Sequence, residues 1–404
     1  MKTGRTHEMK KCTDIFAKEF EVPDIVKERM EEAFVAIERD GKEGKSQRKR
    51  GDSTCYNIGC HGRAWIFRYP QVAAVLCIGI LLVGGTTAYA AYTHFWSRGM
   101  KGTLQSTELQ RQTLTEDGTA TVFPETPEYA DMAVTDGGIT VTPDTMVVND
   151  KIGYFSFTVD GYRLPEGEEP CFEFVDVYLG DNPESESGWV NMGASFYDGI
   201  VAGEDGTAMY EDGTPIQFDE KGRIISLYTD ENGRMEYVVT VMVSRAEDSL
   251  LGKTLHINFT NLGTTYKAGF TPDISGEWDY ALSLPTVSSM EEITVGKEVR
   301  NTVFEVETVE ISPVAVKVNY AVNGEVESVE DDLRIPQFCG FVLEDGTELT
   351  GMADGRMSGF SDETRSGAYC ISAFDRVIAT EQITALILRT EGGLQTVEIT
   401  PASH

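Results

Sequence analysis

The sequence is poor in basic residues, in histidine and in paired cysteines. Its 404 residues include 34 Lys or Arg against 66 Asp or Glu, with five histidines and seven cysteines. A formal net charge of −32 repels polyanions, so it argues against a nucleic-acid partner. No Gly-x-Ser-x-Gly elbow, His-Glu-x-x-His helix or Ser-x-x-Lys box occurs, which removes the common hydrolase signatures. Carboxylates are abundant, but abundance alone does not mark a glycosidase pair. No enzymatic activity and no cofactor is expected.

Metal sites are equally poorly supported. Cys55, Cys60 and His61 cluster near Cys12 and His7, but a structural zinc site pairs its ligands in tighter, repeated spacings. The alternating Asp-x-Asp-x-Asp-Gly pattern of a calcium loop is missing. Instead Glu-Asp-Gly-Thr recurs at 116–119, 204–207, 211–214 and 344–347, and Asp-Gly is a favoured tight turn. Beyond residue 96 there are three cysteines, Cys171, Cys339 and Cys370. An odd count over so long a stretch is not a disulfide framework. Cys339 and Cys370 read either as a pair or as buried free thiols.

Long apolar runs are also scarce. The prominent one is Val72 to Tyr92, and no charge interrupts the chain between Arg68 and Arg98. Twenty-one helical residues at about 1.5 Å each span roughly 30 Å, the thickness of a bilayer core. Trp65, Phe67 and Tyr69 flank it on one side, and Tyr89, Tyr92, Phe95 and Trp96 on the other, as interfacial belts do. The run predicts one transmembrane helix within 69–95, carrying Val72, Leu76, Ile80, Gly84 and Ala88. Residues 41–68 hold seven basic and two acidic side chains, which predicts a cytoplasmic N-terminus and an extracellular C-terminal part. Residues 1–69 carry 15 basic and 12 acidic side chains, a net of +3, so the remainder of the −32 total leaves −35 for the outer part.

Within the N-terminal segment, helices are expected over 13–21 and 23–40. Pro23 suits a first helical turn and Gly41 a C-terminal cap. Val26, Met30, Ala33, Phe34 and Ile37 fall at i, i+4, i+7, i+8 and i+11, one apolar stripe on a helix. A segment this short has little else with which to bury the stripe. Either Ile15, Phe16 and Phe20 cover it, or a partner's groove takes it. Val26, Met30, Phe34 and Ile37 are the candidate partner-binding residues.

Past the apolar run, residues 97–118 read as a short juxtamembrane helix in which Leu104, Leu109 and Leu114 have irregular spacing. From Thr119 onward, short alternating segments are separated by Gly, Asp, Asn and Pro, the period-two signature of half-buried strands. They fall at 154–159, 171–179, 223–228, 235–243 and 254–259, then at 293–299, 302–309, 315–322, 338–343, 368–373 and 383–389. In Leu255-His256-Ile257 the apolar neighbours point inward and His256 outward. Two tandem β-sandwich, Ig-like domains follow from this spacing. The expected organisation is 1–68 cytoplasmic helical segment and basic linker, 69–95 transmembrane helix, 96–118 juxtamembrane helix, 119–286 membrane-proximal β-domain and 287–404 distal β-domain. The fold class is mainly β outside the membrane, with short cytoplasmic α-helices and one transmembrane α-helix.

The layout, with the Val22-Pro23 helix entry, the juxtamembrane stretch Phe95-Trp96-Ser97-Arg98-Gly99-Met100-Lys101-Gly102, the segment GEWDYALSL at 276–284 and the segments from Val306 to Tyr320 and Leu343 to Leu349, resembles single-pass Gram-positive membrane proteins. Those proteins carry an extracellular domain of unknown function and are commonly regarded as anti-sigma factors for extracytoplasmic-function sigma factors. The chain departs from many anti-sigma domains in lacking a His-x3-Cys-x2-Cys signature. The resemblance implies a membrane-tethered regulator at the cell membrane: β-domains that sense an unknown envelope ligand, and an inner helix that holds a sigma factor. The alternative expectation is a surface-anchored binding, adhesion or envelope-structural protein with no transcriptional role.

Overall fold

The computed structural model describes residues 96–123, 131–180, 190–203, 207–266, 269–324 and 334–399, all within one compact unit. The segment that opens it holds two short helices, α1 (Arg98–Thr103) and α2 (Glu108–Glu116). Eleven strands follow: β1 (Ala120–Val122), β2 (Val134–Asp136), β3 (Ile139–Val148), β4 (Ile152–Asp160), β5 (Glu169–Leu179), β6 (Val190–Phe196), β7 (Ile200–Ala202), β8 (Ala208–Tyr210), β9 (Met235–Val243), β10 (Thr254–Tyr266) and β11 (Gly269–Ser283). A second series comprises β12 (Glu291–Glu298), β13 (Phe304–Ser312), β14 (Ala315–Val322), β15 (Gln337–Leu343), β16 (Glu348–Thr350), β17 (Ala353–Phe360), β18 (Gly367–Phe374), β19 (Ile383–Thr390) and β20 (Gly393–Glu398).

The first series forms a six-stranded sheet in the order β1-β3-β4-β9-β6, with β2 added on β3, facing a three-stranded sheet β11-β10-β5. The second forms a five-stranded sheet β12-β13-β14-β18-β17 and a four-stranded sheet β16-β15-β19-β20. Alternation explains the pairing of faces. In β11, Trp278, Tyr280 and Leu282 are buried while Glu277, Asp279 and Ala281 are exposed. Trp278 donates from Nε1 to the Ile139 carbonyl at 3.1 Å, and the Tyr280 hydroxyl donates to the Val141 carbonyl at 2.7 Å. These two bonds join the facing sheets while satisfying the polar ends of large buried rings. Phe157, Phe172, Tyr237 and Phe259 fill the space between, with centroids 4.8–5.4 Å apart in edge and stacked contacts.

The two sandwiches, named proximal and distal for the first and second strand series along the chain, are not separate beads. In β18, Ala368, Cys370 and Phe374 belong to the distal core, whereas Tyr369, Ile371 and Ala373 join Val314, Ala315 and Val377 in the proximal core. Every residue of β18 after Gly367 is buried, as expected of a strand covered on both faces. On the proximal side β4 is nearly as enclosed. Its Tyr154 hydroxyl donates to the Phe374 carbonyl on β18 at 2.7 Å. A polar edge accompanies this apolar seam: Asn149 Nδ2 donates to Ser312 Oγ at 2.8 Å, and Lys317 pairs with Glu310 at 2.6 Å.

Three expectations need correction. Among the described residues no helix is long and apolar enough to cross a membrane. The longer of the two α-helices has nine residues, about 13 Å against the roughly 30 Å of a bilayer core. The class of the described residues is therefore mainly β, and no membrane-spanning helix is among them. The helices expected over 13–21, 23–40 and 69–95 fall outside the described residues, and so do the candidate residues Val26, Met30, Phe34, Ile37, Val72, Leu76, Ile80, Gly84 and Ala88. The single helix read over 97–118 is two helices with an extended residue, Gln105, between them. The strand read over 223–228 is also absent. That stretch holds a single isolated bridge, Phe218↔Ile224, and a second, Thr229↔Met235, follows it; Ile224, Ile225 and Leu227 remain 40–42% exposed.

Candidate functional site

The part of the structure best placed to carry function is the strap formed by residues 96–118, because it is bonded to both sandwiches. Its sequence explains its path. Ser97 caps α1, accepting from the Met100 amide at 3.1 Å. Thr107 and Gln110 form a reciprocal capping box at the start of α2. Between them Gln105 is extended and bridges Arg376 in parallel: its amide donates to the Asp375 carbonyl and its carbonyl accepts from Val377, each at 2.8 Å. Gln110 Nε2 donates to the Val377 carbonyl at 3.0 Å. The irregular leucine spacing is thereby resolved. Leu104 and Leu114 are buried with Trp96 and Met100, and Leu109, on the outer side of α2, is 72% exposed.

On the proximal side, α1 lies over β4 and β9. Glu236 on β9 accepts from the backbone amides of Arg98, at 3.1 Å, and Gly99. The Arg98 side chain pairs with Glu211, donates to the Leu227 carbonyl at 2.5 Å and stacks 5.0 Å over the Tyr197 ring. Gln105 Nε2 reaches the Ala202 carbonyl at 3.0 Å. Gly102 is required by this fit, since a Cβ there would overlap the Tyr197 ring. Asp144 completes the site. Burial first, and the neighbouring Glu236 charge second, push its carboxyl up to about 6. Glu236 is raised as well, by burial, against the opposing hydrogen bonds from Gly99, Ser97 and Arg98. Lys101 is lowered, by burial and by the nearby Arg111.

The contacts of this arrangement attach the strap to the sheet beneath it. No group of three His, Cys, Asp or Glu suited to a metal occurs among the described residues. Among the described repeats, the Glu-Asp-Gly-Thr motif forms turns, in which Asp117, Asp212 and Asp345 accept from the amides of Thr119, Thr214 and Thr347. His256 lies on the outer face, stacked on Tyr178 with centroids 4.6 Å apart. Cys339 and Cys370 are free thiols, and the Cys171 thiol donates to the Phe172 carbonyl at 3.0 Å.

No known family matches the chain, and no curated protein matches it. Two solved structures are similar in part. A conserved domain protein from Bacillus anthracis is 14% identical, covers 64% of this chain and 75% of its own, and superposes with a TM-score of 0.41. The CupB6 tip adhesin from Pseudomonas aeruginosa is 10% identical, covers 66% and 88% respectively, and reaches a TM-score of 0.14.

Sequence reasoning did not single out Asp144, Glu236, Gln105 or Asp375. Two signals were present. Gly99 and Gly102 inside a helical stretch mark close approach by another element. Pro143-Asp144 inside an alternating strand marks a bulge, which the register shift between Pro143 and Thr145 locates.

Proposed function

We propose that the chain is an envelope-associated regulator of the anti-sigma type, in which the joined β-sandwiches form the sensing body. The N-terminal segment, through Val26, Met30, Phe34 and Ile37, holds a sigma factor. The observation that supports this reading is the strap. A body that only had to display a binding surface would need no more than a linker at Trp96. Here the chain immediately after the N-terminal segment is sewn to the proximal sandwich through Arg98 and Gly99, and through Gln105 and Gln110 to residues 375–377, the segment that leaves strand β18 of the distal series. Strain between the sandwiches therefore acts on the strap, and through it on everything upstream. Coupling of this sort requires an element whose position both ends bias.

The test is a pull-down from cells with full-length chain beside a Met30→Asp/Phe34→Asp variant. Recovery of a sigma factor by the unmodified chain alone is expected, because a charge in a desolvated apolar seam costs several kcal/mol. Absence of a cytosolic partner from both samples would favour a surface binding protein instead.

A further inference from the structure

Residues 211–234, between β8 and β9, carry four of the ten large apolar side chains left exposed among the described residues: Phe218 at 62%, and Ile224, Ile225 and Leu227 at 40–42%. The other six lie one each on separate segments. The display is held in place by its backbone. The Ile225 amide donates to the Gln217 carbonyl at 3.0 Å, the Asp219 amide to the Arg223 carbonyl at 2.8 Å, and the Leu227 amide to the Asp198 carbonyl at 2.7 Å. Beneath them the hydroxyl of buried Tyr210 donates to the Ile225 carbonyl at 2.6 Å and accepts from the Gln217 amide at 3.1 Å. The patch is thus a fixed feature of the fold, and clustered apolar area of this kind marks a contact surface.

It lies where the N-terminal segment joins the body. Arg98, the first residue of α1, donates to the Leu227 carbonyl at 2.5 Å and pairs with Glu211, and a Cβ at Gly199 would strike both Arg98 and Leu227. Upstream of Arg98 no charge occurs until Arg68, and the apolar run from Val72 ends at Tyr92, six residues before Arg98, at most about 22 Å of chain. Two apolar features that both need cover from water therefore meet at one place. The charges fit a single cover for both. Between Asp212 and Asp230 they are Asp219, Glu220, Lys221 and Arg223, which sum to zero in a chain of net −32, and Asp219 pairs with Arg223 at 2.8 Å. Glu211, Asp212, Asp230 and Glu231 flank this neutral stretch and repel an anionic surface. We propose, resting on the envelope reading above, that Phe218, Ile224, Ile225 and Leu227 are a lipid-contact patch that sets the proximal sandwich against a neutral, zwitterionic lipid surface beside the strap. Apolar side chains at such a surface settle at the boundary of headgroups and acyl chains. Because the Leu227 carbonyl holds Arg98, movement of the patch at that boundary is delivered to the first turn of α1.

The experiment uses the full-length chain reconstituted in phosphatidylcholine vesicles that contain a phospholipid with a photoactivatable diazirine on its acyl chain. After illumination, labelled peptides are mapped by mass spectrometry. Label is expected on the peptide that holds residues 216–228, and not on the peptide that holds Leu394, which is 61% exposed on β20. It should survive about 1 M salt, which screens ionic attraction but not apolar burial. Phe218→Ser/Ile224→Ser removes the two exposed side chains joined by the isolated bridge. That variant should lose the label at 216–228 while its β9 amides keep their protection from exchange. If it fails to fold, the wild-type pattern and its salt dependence still decide. Label on residues 69–95 with none on 216–228, or loss of the 216–228 label in high salt, overturns the patch and leaves the chain at the envelope. A chain that does not associate with the vesicles at all overturns the envelope reading, and the patch with it. Neither result bears on the sigma-factor pull-down.

Discussion

Replacing Tyr154 by phenylalanine tests whether the two sandwiches are one mechanical body. Tyr154 is fully buried on β4, and its hydroxyl donates across the seam to the Phe374 carbonyl at 2.7 Å. Phenylalanine keeps the ring and its packing but removes the donor, leaving a buried carbonyl short of a partner. Such a loss costs about 1–3 kcal/mol. Taking about 1.5 kcal/mol and a urea dependence of about 3 kcal/mol/M, the unfolding midpoint falls by about 0.5 M. The assay is hydrogen exchange in rising urea, following β10 for the proximal sandwich and β19 for the distal one. Because the bond spans the seam and the core runs through it, both strands should lose protection together, at a midpoint lowered equally. Tyr280→Phe is the control: its bond to the Val141 carbonyl lies wholly within the proximal sandwich. In a coupled body that variant too lowers both midpoints. A Tyr154→Phe midpoint that falls for β10 alone, or for neither strand, would refute the coupling argument.

Two further outcomes are expected. Gly102→Ala places a Cβ inside the Tyr197 ring; overpacking of about 1–3 kcal/mol exceeds the gain of about 1 kcal/mol from helix propensity. Strap amides should exchange faster while β19 amides do not change, and exchange mass spectrometry checks this. Alkylation of the native, unreduced chain should show Cys339 reacting before Cys370. The Cys370 thiol is fully buried and pushed up by that burial, whereas Cys339 is half-buried; peptide mass mapping that finds the two joined would contradict the free-thiol state.

Much of the β architecture was legible because burial on one face imposes a period of two. The strand at 235–243 was read at its observed bounds, and the Trp278, Tyr280, Leu282 alternation shows which face of β11 is covered. The failures have physical causes. Residues 223–228 alternate like a strand, but their apolar side chains stay exposed and no continuous neighbour supplies a ladder. The strap looked like one helix because the break at Gln105 is made by its bridge to Arg376, far along the chain. Glu236 was one carboxylate among 66 acidic residues, with nothing local to distinguish it, and Asp144 was marked only by the bulge that its neighbour Pro143 signals.

What the sequence by itself determined is therefore what neighbours along the chain decide: the alternating strands and the Asx-stabilised turns at Asp212 and Asp345. Only the tertiary structure decided that β18 is covered on both faces, that the two sandwiches share a core, and that the strap is bonded to each of them. The reason is range. Periodicity acts within a few residues, while the seam and the bond that holds α1 to β9 join groups more than 90 residues apart, Asn149 with Ser312 and Arg98 with Glu236, whose meeting follows from the packing of whole sheets.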